Sequence, residues 1–175
     1  KAISEVAKKM KVGPGLSSPD MGPLVSQEQF EKVKGYIKSG QDDGAKCEVG
    51  GGTVGDKGYF VEPTVLTNTN DKMKVITEEI FGPVVAAEPF DNAEEVMARS
   101  NNSTYGLAAA VWTSDIKKAI NTADAFRAGT VWVNTYNIFD AALPFGGYKQ
   151  SGWGREMGSE ILDAYTETKS VVIAK

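Results

Sequence analysis

Between Val84 and Asn134 the chain alternates strand-type and helix-type patterns, and this alternation limits the available folds more than any other feature. Val84 to Phe90 predicts a strand, and Asp91 with Glu94 opens a helix to about Asn101. Leu107 to Thr113 is a near-continuous apolar strand. Ser114 opens a second helix carrying Ile116, Ile120, Ala123 and Phe126, Gly129 stands where its C-terminal cap belongs, and Thr130 to Asn134 is another strand. Strands joined by helical crossovers run parallel, and apolar runs without alternation belong to strands covered on both faces. The expected fold class is therefore α/β, a parallel-sheet layer fold.

The flanking segments read as follows. Lys1 to Met10 predicts a helix with Ile3, Val6 and Met10 along one face. Lys1 is not a methionine, and a helix with no lead-in suggests a chain cut from something longer. Val12 to Gly15 stops that helix, and a Ser/Pro/Gly loop runs to Val25. Ser26-Gln27-Glu28-Gln29 has the spacing of a capping box, followed by Phe30, Val33 and Ile37 on one stripe. Gly40 to Gly44 ends that helix. Lys46 to Val49 and Tyr59 to Leu66 predict strands, the second carrying Pro63, which belongs at an edge or strand end. After the alternating region a long irregular stretch, Tyr136 to Arg155, precedes a short helix through Ile161 and Tyr165. Thr168 to Lys175, with Val171, Val172 and Ile173, predicts a terminal strand that needs a partner sheet.

Composition removes several functions. Net charge is -4 and the pI about 5.0, so nucleic acid and anionic membrane surfaces are not expected partners. No apolar run reaches the roughly 20 residues that span a bilayer, and no signal peptide is visible, so the chain reads as soluble. The one cysteine, Cys47, excludes an intrachain disulfide, and a reducing cytoplasm is the natural setting. The sequence has no histidine. Histidine bases, histidine triads and histidine metal sites are excluded together, and one cysteine builds no structural zinc site, so no metal is expected.

Four segments remain that could carry chemistry. Gly50 to Gly55 formally matches G-x-G-x-x-G, but that fingerprint requires a following helix to hold the pyrophosphate, whereas Asp56 to Tyr59 leads into a strand. A glycine-rich turn between strands is the better reading. Cys47 lies in a strand between Lys46 and Glu48 with no base or helix N-terminus identifiable beside it, the pattern of an inert thiol. Glu78-Glu79-Ile80-Phe81-Gly82-Pro83 taken alone could be a solvated turn. Pro144 to Glu156 interleaves glycines with Phe145, Tyr148 and Trp153, which suggests backbone packed closely against something rather than a flexible linker.

Those last two segments, together with Asn102 to Ala109 and Ala128 to Asn134, resemble the aldehyde dehydrogenase family in order and spacing, over essentially the whole chain. The resemblance implies an incomplete catalytic domain, residues 1–165, followed by a terminal oligomerisation strand, residues 166–175. In that family a cysteine thiolate attacks an aldehyde, hydride passes to NAD or NADP, and activated water releases the acid. The resemblance makes Glu79 the acid that bonds the nicotinamide ribose hydroxyls and Phe81 the aromatic beside it. It makes Asn137, Ile138, Phe139 and Phe145 lining of the aldehyde tunnel. Arg155, Glu167, Val171, Val172 and Ile173 become contacts of a homo-oligomer. The family's cysteine loop, general base and dinucleotide domain would precede the segment matching Lys1. The expectation is therefore a fragment with no catalytic residue of its own, inactive alone, binding no NAD or NADP tightly, and completed by a missing N-terminal part of the subunit. A stand-alone, non-catalytic interaction module derived from the family is the alternative, and specialisation for a semialdehyde would change only the substrate.

Overall fold

A computed structural model describes residues 1–175, which divide into two compact units, Lys1–Pro89 and Phe90–Lys175. In the first unit α1 (Ala2–Lys9) lies against β1 (Lys46–Val49) and β2 (Thr64–Thr67), and α2 (Gln27–Asp42) packs on α3 (Lys74–Thr77). β2 is the central strand: β1 pairs with it antiparallel, and β3 (Val84–Ala86) pairs parallel in the register Thr64↔Val84. The second strand was expected from Tyr59, yet its ladder begins only after Pro63, which has no N–H to give.

The core of this unit is the predicted stripe of α2. Val33 and Ile37 are buried with Leu66, Val61, Met73, Val75 and Ile80, and Phe30 packs at the margin. The stripe expected on α1 behaves differently. Only Ala7 is buried, while Ile3 and Val6 are exposed. Periodicity identified an apolar face, but nothing in this unit covers it.

The second unit holds α4 (Ala93–Asn101), β4 (Tyr105–Gly106), β5 (Ala108–Val111), α5 (Ile116–Ala125), β6 (Thr130–Val133), β7 (Tyr148–Lys149) and α6 (Ile161–Tyr165). β5 and β6 pair parallel, joined by α5, so that crossover is as expected. The fold is mixed α/β with parallel elements. The single sheet expected to run through all three alternating strands is not formed. β3 takes its parallel partner from β2, and β5–β6 is a separate pair. Nor are these strands covered on both faces, since only Trp132 of β6 is buried.

The second helix also needs correcting. Its inward face is Ala119, Thr122, Ala123 and Phe126, with Ile116 and Ile120 outward, because small residues let α5 approach β5 and β6 closely. Its cap is Asp115, whose carboxylate accepts from the Lys117 and Lys118 amides. It ends at Phe126 rather than at Gly129. There Asn101 brackets the terminus, its amide donating to Ala125 O at 2.8 Å and its carbonyl accepting from the Arg127 amide at 2.8 Å. No helix is long and apolar enough to cross a membrane.

Leu66 and Val33 are fully enclosed, and Ile120 is not. Leu66→Ala should therefore cost about 3 kcal/mol and Ile120→Ala roughly 0.5 kcal/mol or less in urea unfolding of the chain. Equal losses at the two positions would contradict the placement of the core.

Candidate functional site

The Glu78–Pro83 segment is a turn built on one face of α2. Ile80 is buried in the core, and Glu79 and Phe81 on either side of it are exposed, Phe81 by 69%. Phe81 adopts φ +54°, the left-handed region that a bulky residue rarely occupies. Three α2 side chains at helical spacing hold the turn. Gln29 donates through its amide nitrogen to Ile80 O at 3.0 Å and Phe81 O at 2.9 Å. Tyr36 donates its hydroxyl to the Glu78 carboxylate at 2.8 Å. Val33 lies against Gly82, where an added Cβ would come within 2.5 Å of a Val33 methyl. A left-handed non-glycine residue costs of order 1–3 kcal/mol, and a hydrogen bond returns about 1 kcal/mol. The two Gln29 bonds are thus comparable to the strain they accompany. Glu79 has no protein partner, so its carboxylate is free to accept hydrogen bonds from hydroxyls of a ligand.

In the second unit three of the family-like segments converge. β4 pairs with β7 antiparallel, tying the segment after Asn102 to the glycine-rich loop. Lys149 donates to the carbonyls of Asn101 and Ser103, placing a cation at the C-terminus of α4. Ser151 Oγ accepts from the Gly106 amide. Gly129 backs directly on the Gly146 carbonyl, so a side chain at 129 would collide with backbone. That contact, not a helix cap, is what requires glycine there.

The predicted tunnel residues divide between contact and exposure. Phe139 and Phe145 meet edge to face at 5.0 Å, and Trp132 meets Phe139 at 5.7 Å and Tyr136 at 5.1 Å, also edge-on. Such pairs orient the positive edge of one ring toward the negative face of another. Trp132 Nε1 donates to Ile138 O at 2.9 Å, which fixes the loop backbone. Ile138 and Asn137 themselves are exposed, Asn137 at φ +58°. Trp132 and Tyr136, whose rings pack with this set, are not singled out by the sequence, since a strand tryptophan carries no local signal of such a contact.

The predicted interface residues are not brought together. Arg155 is taken up by its own loop, donating to Gly147 O at 3.1 Å and Gly154 O at 2.6 Å with its guanidinium over the Tyr148 ring. Glu167 is exposed. Val171, Val172 and Ile173 are exposed and form no strand within this chain; the expected terminal strand is one that needs a partner sheet.

Sequence comparison gives these segments a context. A sequence profile described as "Aldehyde dehydrogenase family" matches residues 1–171. Aldehyde dehydrogenase 1A1 of Gallus gallus is 53% identical over 170 residues, covering 97% of this chain and 33% of that relative. The mitochondrial aldehyde dehydrogenase of Mesocricetus auratus is 54% identical over 168 residues, 95% of this chain and 34% of its own length. The NAD+ complex structure of aldehyde dehydrogenase from Bacillus cereus superposes with a TM-score of 0.94 at 54% identity, over 97% of this chain and 35% of that one. The chain spans about a third of the length of the curated relatives it matches.

Gly50 to Gly55 opens the connection from β1 to β2, which runs on to Pro63 with an isolated Thr53–Val61 bridge and no helix. Beside it the Cys47 thiol donates to Val49 O at 3.3 Å and Gly50 O at 3.4 Å. Burial pushes its pKa up, a backbone hydrogen bond at Val49 that favours the thiolate opposes this, and the charges of Glu62 and Glu48 push it further up. A raised pKa means less thiolate at a given pH, and the thiolate is the reactive form. Alkylation of Cys47 by iodoacetamide should be slower at neutral pH than that of a free thiol, with a pH–rate midpoint above about 8.5. A midpoint at or below that value would show an activated thiol.

Proposed function

The chain belongs to the aldehyde dehydrogenase family, and on that premise we propose that it is one part of an NAD(P)-dependent aldehyde dehydrogenase subunit, supplying nicotinamide-ribose contacts, tunnel lining and oligomer contacts. The single observation that carries this reading is the turn at Glu79-Ile80-Phe81. There a carboxylate without a protein partner and a 69%-exposed phenyl ring stand on either side of a buried anchor. The residues fit a nicotinamide ribose. Glu79 can accept from two neighbouring hydroxyls at once, and Phe81 offers an apolar surface beside them.

A bound nicotinamide supplies a hydride acceptor; the chain's own residues supply position. Glu79 restrains the sugar, and correct placement of reacting groups is worth orders of magnitude in rate. The edge-packed Phe139 and Phe145, with Ile138 and Asn137 beside them, give the aldehyde an apolar approach, which favours hydrophobic aldehydes. In our reading the nucleophilic cysteine, the general base and the dinucleotide domain belong to the rest of the subunit. Cys47 serves none of those roles, because its thiol is held to backbone carbonyls with acids on both sides. The preferred division is residues 1–165 as part of the catalytic domain and 166–175 as an oligomerisation strand. We place the subunit in the cytoplasm.

Two measurements on the whole subunit test this. Glu79→Ala should slow single-turnover NADH formation by about 10- to 100-fold while acylation of the cysteine by an activated ester (p-nitrophenyl acetate), which needs no hydride transfer, proceeds as before. Unchanged NADH formation would remove Glu79 from the site. Deleting the residues after Glu167 should weaken self-association, because the exposed Val171, Val172 and Ile173 would lose the sheet edge they pair with. The same mass by light scattering before and after truncation would overturn the interface assignment.

A further inference from the structure

We infer that Gln29 is a positioning residue for the nicotinamide end of the site: its carboxamide, bonded to the carbonyls of Ile80 and Phe81, holds the left-handed turn that presents Glu79 and Phe81. The inference rests on the reading of that turn as the cofactor contact.

Gln29 stands three residues after the N-cap Ser26, and half of the expected capping box is present: the Gln29 amide donates to Ser26 Oγ at 3.2 Å. In a complete box its side chain would return to the Ser26 amide. It reaches instead across to a turn more than fifty residues further along the chain. Both of its partners there are carbonyl oxygens, so only the amide nitrogen fits, and the orientation of the group follows from chemistry.

The neighbours divide the work. Ile80 anchors the turn in the core and Gly82 sets how closely it lies on Val33, so the presence of the turn does not depend on Gln29. What those contacts leave unset is the backbone of Phe81, whose φ of +54° lies outside the region its side chain prefers. The Gln29 bond to Phe81 O acts on that peptide, and the bond to Ile80 O acts on the one before it. Released, Phe81 would relax toward negative φ. Its ring and the adjoining Glu79 would then leave the geometry they share, while the buried Ile80 stayed in place.

The test uses the whole subunit with Glu79→Ala as reference. Gln29→Met keeps the length of the side chain and its backbone bond to Ser26 but has no donor. It should raise KM for the nicotinamide cofactor severalfold and slow single-turnover hydride transfer about tenfold, leaving acylation by p-nitrophenyl acetate, KM for the aldehyde and the thermal midpoint as in the unaltered protein. Gln29→Asn, one methylene too short to reach the turn, should give the same split and serves if the methionine variant is not recovered folded. Combining Gln29→Met with Phe81→Asn, a residue that tolerates left-handed φ, should give a loss smaller than the sum of the two. A Gln29→Met protein that keeps normal hydride transfer while Glu79→Ala is slow would overturn the inference. So would losses spread equally over ester acylation, aldehyde KM and thermal midpoint, which would make Gln29 merely structural. Normal hydride transfer in Glu79→Ala would instead sink the reading of the turn, and the inference with it.

Discussion

One face of α2 carries both the core of the first unit and the turn at its surface. Val33 is fully enclosed and touches Gly82; four residues earlier Gln29 bonds the carbonyls of the turn, and three residues later Tyr36 bonds Glu78. Positions three and four apart on a helix share a face, so one rigid element sets these three restraints on the turn. A side chain added at Gly82 would have to displace an enclosed valine. The placement of Glu79 and Phe81 thereby inherits the rigidity of the core without either residue being part of it.

The second unit reaches order by another route. Its own buried apolar set is small, with Ala119 and Trp132 at its centre. Polar side chains do more of the holding: Asn101 at the end of α5, Lys149 at the end of α4, and Arg155 on the carbonyls of its own loop. Each meets backbone groups that helix ends and irregular loops leave without partners. The glycine contact between residues 129 and 146 brings the loop close enough for those bonds to form. This explains how a stretch as long as Tyr136 to Arg155 remains ordered with only the two-residue β7 inside it.

Much of this was legible in the chain of residues. The stripe Phe30, Val33 and Ile37 was readable because its period and its cover lie in the same unit, and the parallel β5–α5–β6 crossover because a helix joins two apolar strands. The stripes Ile3, Val6 and Ile116, Ile120 misled for the complementary reason: periodicity says which face is apolar, not whether the chain supplies something to cover it. Asn101 as the terminator of α5 could not be found from local pattern, since it lies 24 residues before the carbonyl it caps. Gln29 was legible only as a cap. Glu79 and Phe81 are singled out by resemblance alone, because neither an exposed acid nor an exposed ring differs in pattern from a solvated turn.

Exposure is what separates function from stability at this site. Glu79 and Phe81 project from a turn whose stability resides in Ile80 and Gly82, so altering either side chain removes no buried contact. Phe81 is the sharper case. Glycine would occupy φ +54° without strain, whereas a phenylalanine there is held against its own preference by bonds from α2. A chain folding for stability alone gains nothing from that arrangement: the ring is largely in water and its backbone is strained. The strain acquires a purpose only if the ring meets something outside this unit. In our reading that is the face of a nicotinamide ribose, where a ring already in position loses little freedom on contact. The cost of holding Phe81 is thus met during folding, by the same helix that builds the core, rather than at the moment of binding.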